Sequence, residues 1–171
     1  MKFSEFKYVR PDIDKTLSEF KRLIEKFEQA DSAEAETDVI ISINRLRDNF
    51  STMETIAYIN YTNDTNNKMY EEEQEYFDTN EPYYEDTLND YFRSLLNSKF
   101  REKLTDKFGK HLFEIAEIAS KCSDHRIVEE KQKENHLCSE YMKLKATAKI
   151  SFEGKERNLQ ELSMFMRDKD R

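Results

Sequence analysis

Glycine and proline are nearly absent from this chain, with two of each in 171 residues. Turns and hairpins draw on both residues, and helix interiors exclude both. A chain this poor in them cannot supply the many turns of an all-β fold. Long helices with few interruptions are expected. The apolar pattern agrees. Ile13, Leu17, Phe20, Ile24 and Phe27 follow one another at steps of four, three, four and three. That period, about 3.5 residues, suits two long helices lying side by side. Pro11 fits the first turn of such a helix, where its missing N–H costs nothing. After a break at Asp31-Ser32, with Asp31 and Glu34 spaced for a capping box, a second stripe runs through Val39, Ile43, Leu46, Phe50, Met53 and Ala57. The two stripes predict a helical hairpin over about 11–61.

Polar TNDTNN at 62–67 ends the hairpin. A third helix begins near Lys68 and carries Tyr70, Phe77, Tyr84, Leu88, Tyr91 and Leu95. Pro82 lies inside it and predicts a kink or short break near Asn80–Glu81. Shorter helices are expected at about Ser98–Phe108 and Lys110–Lys121, separated by Gly109. The second of these is apolar around more than half its circumference, at Leu112, Phe113, Ile115, Ala116, Ile118 and Ala119. That predicts the most buried helix of the chain. Phe100, Leu104, Phe108 and Phe113 are expected in the core. Ser123-Asp124 caps a helix over about 125–145, with Val128, Lys131, Asn135, Cys138 and Met142 on one line.

The period then drops to two. Ala148, Ile150 and Phe152 alternate with Lys149 and Ser151, Glu153-Gly154 makes a turn, and Lys155–Arg157 returns. A lone hairpin is marginal and needs something to lie on. Asn158 and Glu161 cap a last helix over about 159–166. The fold class is therefore mostly α: a long helical hairpin, further antiparallel helices, and one small β-hairpin near the C-terminus. One helical domain is expected over 1–171, in three parts: 11–61, 68–145 and 147–166.

Composition narrows the function. The chain is 37% hydrophobic and 37% charged, against about 45–50% and about 25% in typical domains. It has little apolar surface to spare for a sealed core, as in an elongated helical array or in a piece whose partner surface lies elsewhere. Met1–Arg10 is a short arm with Phe3, Phe6, Tyr8 and Val9 available for docking. A net charge of −8 argues against nucleic acid as partner, since phosphates need a basic face. No apolar run approaches the roughly 20 residues of a membrane span, and MKFSEFKYVR has no signal core. Two cysteines, Cys122 and Cys138, make no disulfide framework. These features point to a cytoplasmic protein.

Catalytic signatures are missing. His111, His125 and His136 stand in neither HExxH nor Glu-x-x-His spacing, and two glycines cannot build a P-loop or a nucleophile elbow. His136 and Cys138 lie two apart, so on a helix they point roughly 200° away from each other and cannot share a metal. Met69–Phe92 is the one unusual segment. It holds nine carboxylates and no Lys or Arg, interleaved with tyrosines. It reads either as a solvated helix face or as a surface for extended peptide, with Tyr70, Tyr76, Tyr83 and Tyr84 as contact residues.

Four stretches in this order, KFSEFKYVRPDID, INRLRDNFSTMETIAYINYTNDT, LLNSKFREKLTDKFGKHLFEIAEIA and ENHLCSEYMKLKATAKISFEGKERNLQEL, resemble the N-terminal part of oligoendopeptidase F-like zinc metallopeptidases, relatives of thimet oligopeptidase. The resemblance implies a parent molecule split by a deep channel, with these helices in one wall restricting entry to short peptides. It also implies a zinc site on an HExxH helix far downstream. No catalytic or metal residue carries over to this chain. It is expected to be inactive alone, with the C-terminal catalytic domain and short peptides as partners. The alternative is a stand-alone helical interaction module with no enzymatic role.

Overall fold

The computed structural model describes residues 7–122 and 124–166. Helices α1 (Ile13–Glu28), α2 (Ala33–Asn63) and α3 (Lys68–Leu96) pack against one another. Next come α4 (Arg101–Phe108), α5 (His111–Cys122), a 3-10 turn at His125–Ile127 and α6 (Val128–Thr147). Strands β1 (Ile150–Phe152) and β2 (Lys155–Arg157) form the antiparallel hairpin, and α7 (Leu159–Phe165) follows. The mostly α fold with one small β-hairpin is thus as expected. Phe3, Phe6 and Ser123 lie outside the described residues.

The first three helices build the core. Phe20, Phe27 and Tyr91 meet edge to face, with centroids 6.4 and 6.1 Å from Tyr91 to the two phenylalanines. Phe50 stacks on Tyr84 at 4.1 Å and meets Phe77 edge on at 5.5 Å. Their registers are set by caps: Asp12 accepts from the Lys15 N–H at 3.1 Å, Ser32 from Ala35 at 3.2 Å, and Asn67 from Met69 at 3.0 Å. Two expectations change here. Pro11 stands just before the N-cap rather than in the first turn, and Ser32 caps α2 in place of an Asp31–Glu34 box.

α3 is the central helix. It packs against α1, α2, α5 and α6. It also runs unbroken through Pro82, which corrects the expected break near Asn80–Glu81. Proline leaves the carbonyl four residues back without its donor. That carbonyl, on Asp78, accepts from the Asn135 side chain at 3.4 Å, and Thr79 accepts from the Gln132 side chain at 2.6 Å. α6 thus supplies, through Asn135, the donor that proline removes, and buried Pro82 needs no break.

α5 is not the most buried helix. Only Phe113 and Ala116 are buried, and Ile118 is 65% exposed. Among the described residues α5 packs mainly on α3 and α4, which leaves Ile115 and Ile118 on its far side exposed. For the same reason Leu104 and Phe113 are core, whereas Phe100 and Phe108 are only half-buried at the edge. α4 begins at Arg101, later than expected, because the Ser98 hydroxyl turns back to accept the Phe100 N–H at 3.0 Å.

Gly109 ends α4 with φ +82° and ψ 159°, a region open almost only to glycine. A Cβ there would meet nothing within 4 Å, so strain alone decides the outcome. Gly109→Ala is expected to cost about 1 kcal/mol in chemical denaturation. The hairpin turn at Glu153 and Gly154, φ 51° and 74°, is a left-handed pair suited to a two-residue connection. The hairpin lies on α7: Phe152 packs on Phe165 at 5.2 Å, and the Arg157 guanidinium sits 4.4 Å over the Phe165 ring. Asn158 and Glu161 form the expected capping box.

Candidate functional site

The acidic, tyrosine-rich segment forms most of α3, and its charges turn largely inward to other parts of the chain. Glu71 pairs with Lys143, and Glu85 with Lys131. Glu73 takes Arg10 in a two-pronged contact at 2.8 and 2.9 Å and accepts the Tyr8 hydroxyl. Asp78 is buried and accepts from Ser139 at 2.6 Å and Gln74 at 2.8 Å, with the His136 ring 3.9 Å away. Glu81 accepts from Asn135 at 3.1 Å. Glu72 and Glu75 stay exposed. The arrangement is neither an open acidic surface nor a plain solvated face. It is a polar seam that binds α6 and the N-terminal arm to α3.

One member of the seam comes from α2. Glu54 faces Glu81, with Glu85 and Asp78 close behind, and its carboxyl is pushed up to about 8 by burial and then by those negative neighbours. Burial and the Glu85 charge also raise Glu81. Burial raises Asp78 as well, against the hydrogen bonds from Ser139 and Gln74. Burial and like charge together favour the neutral, protonated form in this pair of carboxyls. Glu54 was not among the residues singled out from the sequence. A signal was present: Glu54 follows Phe50 by four and so shares the face of the buried stripe. Lys131 and Asn135, on the α6 line, marked the same seam from the other side.

The four tyrosines do not share one surface. Tyr84 is buried in the aromatic core and its hydroxyl is pushed up to about 12 by burial. Tyr76 is half-buried, accepts the Ile13 N–H at 3.1 Å and donates to the Pro11 carbonyl, fixing the start of α1. Tyr70 is half-buried, and Tyr83 is exposed. A fifth tyrosine, Tyr91, is fully buried, and its hydroxyl meets no hydrogen-bond partner among the described residues. A buried hydroxyl without a partner is a net loss. Tyr91→Phe should therefore raise the unfolding free energy by about 1 kcal/mol in urea titration.

Among the described residues, no three His, Cys, Asp or Glu side chains are grouped so as to hold a metal ion. The Cys122 and Cys138 thiols are free and exposed. No helix of the described residues is long and apolar enough to cross a membrane.

The comparisons agree with one another. The family model described as the Peptidase M3 N-terminal domain matches residues 3–123. A structure assigned as oligoendopeptidase F superposes with TM-score 0.93 at 45% identity, over 99% of this chain and 30% of its own. PZ peptidase A, solved with an inhibitor, gives TM-score 0.93 at 47% identity, again over 99% and 30%. A chain assigned as oligoendopeptidase F from Bacillus anthracis str. Ames gives 0.91 at 40% identity, over 97% and 30%. The chain thus spans about 30% of the length of these solved structures. No curated protein matches it.

Proposed function

We propose a function from one premise: the chain belongs to the peptidase M3 family, as its N-terminal domain. Residues 1–171 act as one helical domain of an oligoendopeptidase F-like zinc metallopeptidase that hydrolyses short peptides. They form part of the wall of the channel through which those peptides reach the catalytic domain. The observation that carries this reading is the match of nearly the whole helical array, at 45% and 47% identity, to peptidases of which it makes up 30%.

On this reading the chain supplies shape rather than chemistry. Among its described residues no three metal-ligating side chains are grouped so as to hold a metal ion, and the hydrolytic step is assigned elsewhere. The metal and the catalytic carboxylate belong to the rest of the parent molecule. Tyr83 and Tyr70 are the two tyrosines of the four proposed to meet peptide, because the rings of Tyr76 and Tyr84 are taken up in holding α1 and the core. Two exposed, unpaired thiols support a cytoplasmic setting.

The test replaces the matched part of an oligoendopeptidase F with this chain and follows a quenched fluorescent peptide. The joined molecule is expected to hydrolyse it, and the chain alone is expected not to. Hydrolysis by the chain alone that survives a chelator and protease controls would overturn the reading.

A further inference from the structure

α6 is built inside out. A surface helix normally turns its apolar side to the core. The side of α6 that faces α2 and α3 is mostly polar: Lys131, Gln132, Asn135, Ser139 and Lys143 bond to the carboxylates and carbonyls of α3. Only Val128 of this helix is buried. Leu137, Tyr141 and Leu144, at steps of four and three, sit on the opposite side at 64%, 60% and 67% exposure. The patch extends beyond the helix. Tyr141 and Leu159 of α7 line one cleft of about 590 Å³, and Met164 is also exposed. Glu130, Lys133 and Glu134 rim Leu137 and Tyr141, giving the apolar centre and charged edge of a protein interface.

We propose that the Leu137–Tyr141–Leu144 face, continued by Leu159, is the surface that docks onto the remainder of the peptidase. This rests on the functional reading above. Two observations choose this occupant. The N-terminal family match ends at residue 123. Beyond it, the chain through α7 buries only Val128 among its apolar side chains. The same segment lies within a fold that solved peptidases reproduce over 97–99% of this chain, while 70% of their own length lies outside the match and must pack on something. A chain of −8 net charge carrying a row of open leucines spends its scarce apolar residues where a permanent neighbour covers them.

Cys138 reports on this face, because its exposed thiol lines the same depression as Leu137 and Tyr141. Alkylation is followed by mass spectrometry in the chain alone and in the joined peptidase. Labelling of Cys138 is expected to fall about tenfold in the joined molecule, as access to the thiol is lost. Leu137→Asp with Leu144→Asp is expected to restore it and to leave the melting temperature of the chain alone within about 2 °C. Equal labelling in both forms overturns the proposal. So does a drop above about 5 °C in the isolated variant, which assigns the stripe to this domain's own core. Concentration-dependent dimerisation of the chain, abolished by the variant, assigns the face to a second copy and also overturns it. A joined molecule that protects Cys138 but cleaves no peptide upholds the docking face and refutes the functional reading instead.

Discussion

Phe20→Ala should destabilise the chain by about 3–5 kcal/mol, enough to leave little folded protein if the domain has ordinary stability. Phe20 is fully buried at the meeting of α1 and α3, against Tyr84 at 5.8 Å and Tyr91 at 6.4 Å. Removing the ring forfeits its transfer energy and leaves a cavity between rigid aromatics that cannot collapse to fill it. Urea unfolding of the two proteins gives the difference directly. Phe108→Ala is the contrast. That ring is half-buried at the edge of α4, so its loss should cost clearly less. Equal losses would mean that the core extends across α4 and α5.

The second large effect is set by pH. In the folded chain Glu54 holds its proton up to about 8, whereas its ordinary value is 4.5. Below 4.5 both folded and unfolded forms are protonated, and the group contributes nothing. Between 4.5 and about 8 the unfolded chain releases the proton and the folded chain keeps it, so stability falls as pH rises. Above about 8 the penalty is constant. Water still reaches the site and screens the repulsion, so the expected loss is about 2–3 kcal/mol. Glu54→Gln keeps a donor toward Glu81 and has no charge to develop. It should match the parent near pH 4.5 and exceed it by about that amount at pH 9. The groups facing Glu54 are Glu81, Glu85 and Asp78, the last two countered by Lys131 and Ser139 from α6. A variant whose advantage does not change with pH would show that burial and its acidic neighbours do not raise Glu54.

Much of the fold was legible residue by residue. The stripes at Ile13–Phe27 and Val39–Ala57 gave two helices because periodicity is a property of the chain alone. The turn at Glu153-Gly154 and the box at Asn158 and Glu161 were equally local, and both stand where expected. Three expectations failed for one common reason. Pro82 does not break α3 because Asn135, more than fifty residues later, donates to the Asp78 carbonyl that proline leaves open, with Gln132 donating to Thr79 beside it. The apolar block around Ile115 and Ile118 is not sealed because, among the described residues, α5 is packed mainly by α3 and α4. The carboxylates of α3 are not one open face because α6 and the arm bring Lys131, Lys143 and Arg10 to them.

The candidate site follows the same division. Nine carboxylates among tyrosines could be seen in the sequence. Which of them pair, which tyrosines are left to solvent, and that Glu54 belongs with them depended on three helices meeting. By itself the sequence determined the helical class, the capping box at Asn158 and Glu161, the hairpin turn and the absence of a zinc-ligand motif, all of which act over a few residues. Only the tertiary structure decided that α3 is the centre, that α6 faces inward with its polar side, and that Leu137, Tyr141 and Leu144 stand open. Burial and partnership are relations between segments distant in the chain, and no local pattern contains them.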